Sequence, residues 1–278
     1  MPVAAVNGTE LHYEVSGQGE PVVLIPGLGL DRSYFAAAIP QLERFAKVIS
    51  LDLRGVGQSA KPPGPYSMRL WAEDVSALLD HLGERRAHVV GSSLGGCVAL
   101  ELVDQRPDQV ASLVLVAAFS ELDRSLELNF RLRIAIVEQL GMTDVLADHM
   151  LLWTLSRRFI ETERGKQAAA AIQQAVRRNS PALYASFLRA ILEFGRVLPE
   201  QAGQPKVTER LSQIAVPTLL VVGADDILTP VSFSRKIQER IPGAELAVIP
   251  DCGHITFVEQ PDENARLVVD FIHRVAKT

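Results

Sequence analysis

The chain has 278 residues, 47% of them apolar and 22% charged, and its formal net charge is −5. These values exclude a disordered polymer and a general nucleic-acid binder, which needs a basic face to collect phosphates. About three quarters of the unfolded surface can be buried at this length, so folding needs no metal or disulfide staple.

The first residues lack a basic start and meet Glu10 and Glu14 before any apolar stretch, so no secretory leader is expected. No window approaches about 18 apolar residues, so no membrane span is expected either. The expectation is a cytoplasmic protein that acts on a small molecule, with no nucleic acid or membrane partner. The sequence leaves the oligomeric state open.

In chain order, residues 2–15 read as two short strands around the Asn7-Gly8 turn signal. Pro21 to Ile25 is a short apolar run that stops at Pro26-Gly27, as a buried strand does before a tight loop. Residues 47–51 form the next strand. The spacing of Leu70, Trp71, Val75, Leu78, Leu79 and Leu82 predicts a helix over 68–82, stopped by Gly83. His88 to Gly91 is a strand that runs directly into a helix over 94–105, and Val110 to Ala118 is another strand. Later come a strand over 218–222, a helix over 231–240, a strand over 245–249 and a last amphipathic helix over 261–275. Strands apolar on both faces, alternating with helices, predict an α/β fold with a mostly parallel sheet covered on both sides.

Residues 121–205 break this alternation. Leu126, Phe130, Ile134 and Val137 recur at helical spacing, and further helices are expected around 143–153, 166–178 and 181–197. We expect a helical cap over 121–205, inserted into a core made of 1–120 and 206–278. The cap carries a net charge of +1 and the remainder −6.

Gly91-Ser92-Ser93-Leu94-Gly95 is a G-x-S-x-G run with a strand just before it and a helix just after. That context makes Ser93 a candidate nucleophile held in a strained strand-to-helix turn. A serine hydroxyl needs a base. Of six histidines, only His254 falls in a loop just after a strand's C-terminal end, where a parallel sheet places its site. The base needs a carboxylate, and Asp226, after the strand over 218–222, is the first choice, with Asp123 and Asp225 as rivals. The order Ser93, Asp226, His254 is that of the α/β-hydrolase triad.

Five motifs in order carry a resemblance. They are Pro26-Gly27-Leu28-Gly29, Asp52-x-Arg54-Gly55-x-Gly57-x-Ser59, the run around Ser93, Gly223-Ala224-Asp225-Asp226 with Pro230, and Cys252-Gly253-His254 followed by Glu259-x-Pro261. Along nearly its whole length the chain resembles the α/β-hydrolase fold family. Within it the chain is similar to small capped esterases and lactonases, such as 3-oxoadipate enol-lactonase. The resemblance implies an oxyanion hole made by the backbone N–H groups of Leu28 and Leu94. Pro26 stands where the family usually has His, so this loop must arrange its hydrogen bonds differently.

These readings point to a serine hydrolase of carboxylic esters or lactones that needs no cofactor and no metal. The same triad would also serve hydrolysis of a carbon–carbon bond in a vinylogous diketone, a cofactor-free perhydrolase, or a ligand receptor. An Asp nucleophile, as in haloalkane dehalogenases and epoxide hydrolases of this fold, is excluded by Ser93. The Asp52–Arg54 stretch reads as structural, and Cys97 and Cys252 as packed thiols. In the cap, Trp153 and Arg157 are four apart and expected on one helix face. With Arg158 beside them, they are candidates to line the substrate pocket and to grip a substrate carboxylate, the alternative being a solvated face with local ion pairs to Glu161 or Glu163.

Overall fold

The computed structural model describes residues 2–196 and 205–277. Its eight strands are β1 (Val3–Val6), β2 (Thr9–Ser16), β3 (Glu20–Ile25), β4 (Ala46–Leu51), β5 (Ala87–Ser92), β6 (Val110–Val116), β7 (Thr218–Gly223) and β8 (Glu245–Ile249). They form one sheet in the order β1-β2-β4-β3-β5-β6-β7-β8. Only β1–β2 and β2–β4 pair antiparallel; β3 to β8 are parallel throughout. Asn7 and Gly8, both at positive φ, make the turn that joins β1 to β2.

The side-chain period of two divides the core. Val23, Ile25, Ile49, Leu51, Val89 and Leu115 pack on one face, against α2 (Met68–His81) and α3 (Leu94–Gln105). Val22, Leu24, Val48, Val90, Val114 and Val116 pack on the other, with Phe35, Phe257 and the apolar face of α12 (Pro261–Val275). β7 is buried along its full length, in keeping with its apolar run Leu219 to Val222 rather than an alternation.

The remaining helices are α1 (Ile39–Leu42), α4 (Arg124–Leu140), α5 (Asp144–Thr154), α6 (Arg157–Ile160), α7 (Glu163–Arg178), α8 (Pro181–Phe194), α9 (Val207–Arg210), α10 (Val231–Gln238) and α11 (Thr256–Glu259). α4 to α8 lie between β6 and β7 in the chain. Positions 197–204 of the expected cap, and the last position of its expected helix over 181–197, lie outside the described residues. The helices α1, α6, α9 and α11 have four residues each and are too short to show a 3.6-residue period, so the pattern reading missed them. No helix among the described residues is long and apolar enough to cross a membrane.

β3 and β5 are neighbours, yet the chain leaves them in opposite directions along the sheet, to β4 and to β6. The crevice beyond their C-terminal ends is where a doubly wound sheet offers a site. Pro26, Ser93, Asp226 and His254 all follow C-terminal strand ends on that edge.

Candidate active site

Ser93 joins β5 to α3 with φ 53° and ψ −116°, a region that costs a non-glycine residue about 1–3 kcal/mol. Surrounding contacts hold it there. Its amide donates to the Val116 carbonyl at 2.8 Å, extending the β5–β6 ladder by one residue. Its own carbonyl accepts from the Gly96 and Cys97 amides in the first turn of α3. Gly91 and Gly95 make the turn sterically possible. A Cβ on Gly91 would lie 2.3 Å from the Gly95 carbonyl oxygen, and one on Gly95 would lie 2.1 Å from that of Ile25.

The His254 Nε2 lies 2.9 Å from the Ser93 Oγ, and its Nδ1 lies 2.8 Å from the Asp226 Oδ2. Both His254 and Asp226 are 3% exposed. With Nδ1–H donated to Asp226, Nε2 is left to accept the Ser93 proton. Asp226 Oδ1 accepts from the Leu228 and Thr229 amides at 2.9 and 2.8 Å, and Oδ2 accepts from the Thr229 hydroxyl at 2.8 Å. A carboxylate taken from water needs such donors. Thr229, which also lies 3.0 Å from His254 Nδ1, was not singled out from the sequence. Its position three residues after Asp226, before Pro230, was the available signal.

The rival carboxylates serve elsewhere. Asp123 caps α4, accepting from the Leu126 amide at 2.8 Å, and Asp225 is exposed. Two other histidines have different partners: His88 bonds Ser112 inside the sheet, and His273 meets the Phe45 ring edge-on. Cys97 and Cys252 are free and buried, and burial pushes both thiols well above their ordinary range.

Leu28 follows Gly27, whose built Cβ would lie 3.4 Å from the Ser93 Cβ, and Leu94 opens α3. Among the described residues neither amide has a protein hydrogen-bond partner. The Pro26 loop closes by a bond from the Leu30 amide to the Gly27 carbonyl, with Gly29 at φ +68°; it needs no donor from position 26. Asp52 orders the next stretch by accepting from the amides of Arg32 at 2.9 Å and Gln58 at 2.8 Å. Arg54 forms a fork on buried Asp74, and its carbonyl accepts from the Trp71 indole.

The cap expectation needs correction. α5 stops at Thr154, Leu155 is extended, and Ser156 caps the new helix α6. Trp153 and Arg157 therefore do not share a helix face. Trp153 is half-buried beside His149, at 6.2 Å between ring centroids. Arg157 and Arg158 are exposed, and Arg158 pairs with Asp251 at 2.7 Å. Neither arginine is brought to Ser93.

The break after α5 has its own role. The Thr154 carbonyl accepts from the His254 amide at 2.9 Å. Buried Glu259 accepts from the Ser156 amide at 3.0 Å and bonds the Ser156 hydroxyl at 2.6 Å. The insertion is thus fastened to the loop that carries the base. Burial pushes the Glu259 carboxyl above its usual range, against the opposing pull of Ser156 and the Gly253 amide. Among the described residues, no three His, Cys, Asp or Glu side chains are placed to hold a metal ion.

Comparison with known proteins agrees with this architecture. The profile of the alpha/beta hydrolase fold matches residues 20–261. The chain is 30% identical over 278 residues to the "Putative carbamate hydrolase RutD" of Caulobacter sp. (strain K31), covering 98% of each. It is 28% identical to the enol-lactonase from Burkholderia xenovorans LB400, with a TM-score of 0.86 over 98% of this chain and 100% of that one. A thermophilic esterase from Thermogutta terrifontis, solved with malate bound, is also 28% identical, with a TM-score of 0.84 over 96% of this chain and 94% of that one. The chain belongs to the α/β-hydrolase fold family, and it is a hydrolase.

Proposed function

We propose that the protein cleaves a carboxylic ester or lactone of a small molecule through a Ser93–His254–Asp226 triad and an acyl-enzyme, with the helices of 121–205 as a cap over the site. The observation that carries this reading is the unbroken hydrogen-bonded line from Ser93 Oγ through His254 to Asp226, at 2.9 and 2.8 Å. Ser93 Oγ attacks the carbonyl carbon as His254 Nε2 takes its proton, and the carbonyl electron pair moves onto oxygen. The Leu28 and Leu94 amides receive that oxyanion, each worth about 3 kcal/mol of barrier. Collapse of the intermediate breaks the bond to the leaving oxygen, which takes the proton from His254. Water then gives its proton to His254, attacks the acyl-enzyme and releases the acid, and Ser93 regains its proton. Asp226 holds the Nδ1–H throughout.

The test is a panel of acyl esters, lactones, amides and a carbamate, with wild type and Ser93→Ala side by side. Ester or lactone turnover by the wild type alone is expected. Turnover only of a vinylogous diketone, peracid formation only, or tight ligand retention without turnover would replace this reading. The outcome would then be a carbon–carbon hydrolase, a perhydrolase or a receptor, respectively.

A further inference from the structure

α4, α5 and α8 enclose a group of polar side chains that the triad does not use. Arg133, on α4, is only 2% exposed. Its guanidinium lies 5.8 Å from the centroid of the Phe130 ring, and the Tyr184 hydroxyl, from α8, is close enough to favour its charge. That hydroxyl donates onward to Met150 Sδ at 3.2 Å. Among the described residues, the Nε and Nη2 of Arg133 have no hydrogen-bond partner. Asn129, one turn earlier on α4, is 3% exposed. Its Nδ2 meets His149 Nε2 at 3.3 Å, while its Oδ1 has no partner.

Among the described residues, no carboxylate offsets the Arg133 charge. Removing a cation from water costs several kcal/mol unless an anion and hydrogen bonds compensate. Two N–H groups of one guanidinium left open match the fork that grips a carboxylate. Two lines of contact lead from the cluster toward the Ser93 site. The Tyr184 ring packs on the oxyanion loop, where a Cβ at Gly29 would lie 3.1 Å from it. His149 leads along α5 to Trp153 and then to Thr154, which holds the His254 amide.

We propose that Arg133, supported by Asn129 and Tyr184, is an anion subsite that takes a carboxylate on the substrate, away from the scissile bond. The proposal rests on the ester or lactone hydrolase reading and deepens it. The carboxylate replaces the missing counter-charge inside the insertion, so binding energy at this end orients the carbonyl over Ser93.

The test compares monoethyl succinate with diethyl succinate as substrates for wild type, Arg133→Met and Arg133→Lys. Thermal shift with succinate, against sodium chloride of equal ionic strength, is measured on the same three proteins. Methionine keeps the length and removes an uncompensated buried charge, so the unliganded variant is expected to melt no lower than wild type. Wild type is expected to prefer the monoanion in kcat/KM. Arg133→Met is expected to lower that preference by about tenfold or more and to abolish the succinate shift, with Arg133→Lys in between. If Arg133→Met does not fold, a severalfold fall in Arg133→Lys carries the proposal. The same preference in every folded protein overturns it. If neither ester is hydrolysed, the ester or lactone reading is judged by its own substrate panel, and the succinate shift decides the subsite. A shift lost with Arg133 supports it, and one absent from wild type or equal in all three overturns it.

Discussion

Asp226 and Arg133 are both ionisable side chains no more than 3% exposed, one at the edge of the sheet and the other inside the helical insertion. Asp226 is met by two amides, a hydroxyl and the His254 ring, so each oxygen has two neighbours before any ligand arrives. Arg133 has a ring face and a tyrosine hydroxyl, and two of its nitrogens are left open. A group whose partners are all supplied by the protein is preorganised, and its work is the same for every substrate. A buried group with open valences waits for a partner from outside. The proposed triad stands at the sheet edge, and the proposed anion subsite stands in the insertion.

The largest expected effect breaks the first half of that contrast. Ser93→Ala should lower kcat on an accepted ester on the order of a million-fold while the melting temperature stays close to wild type, because only a partly exposed hydroxyl is lost. Next, Asp226→Asn should cost about 10⁴-fold in kcat by offering His254 a donor where it needs an acceptor. Asp123→Asn should leave kcat nearly unchanged, since its role is a helix cap that Asn also fills. Steady-state kinetics on the two variants separates these outcomes; equal losses would dissolve the distinction between Asp226 and its rival.

Glu259 joins the two regions, and its variants sharpen the comparison. Glu259→Ala leaves the Ser156 amide without its acceptor and should cost about 1–3 kcal/mol of stability, read by denaturant melts. Glu259→Gln mimics the neutral carboxyl, and the sign of its effect follows from burial. The folded protein holds this proton more tightly than the unfolded chain, so the stabilisation from Glu259 is full below its ordinary value of 4.5 and fades as pH rises through the elevated one. The melting temperature of Glu259→Gln should therefore gain on wild type as pH rises from about 4.5 through the elevated value; a constant difference would contradict this reading. The smallest effect is at the surface. Arg158→Ala should change stability by no more than about 0.5 kcal/mol, because its pair with Asp251 is exposed to solvent.

The parts of this molecule that were legible in the sequence are those fixed by neighbours in the chain. The elbow at Ser93 needs small residues two positions away on each side and a strand and a helix around it, and all of these are local. His254 and Asp226 were legible from their places after strand ends. The surroundings of Thr229, Glu259 and Arg133 were not, because each depends on what lies opposite across the fold. Glu259 was visible as part of a motif, but its partner Ser156 is 103 residues away. Arg133 reads as one more cation on an amphipathic helix until α5 and α8 close over it. The expected pairing of Trp153 with Arg157 failed for a local reason. Ser156 is a good helix N-cap, and it starts a new helix between two residues whose four-residue separation suggested a shared face.

The preorganised half of the comparison stands on Ser93 being activated by His254. Labelling with a fluorophosphonate, followed by peptide mass spectrometry, puts that to the test without knowledge of the substrate. The account predicts one adduct, on Ser93, formed rapidly in the wild type, absent in Ser93→Ala and slowed by orders of magnitude in His254→Ala. An adduct on another residue, with esterase activity surviving in Ser93→Ala, would contradict it.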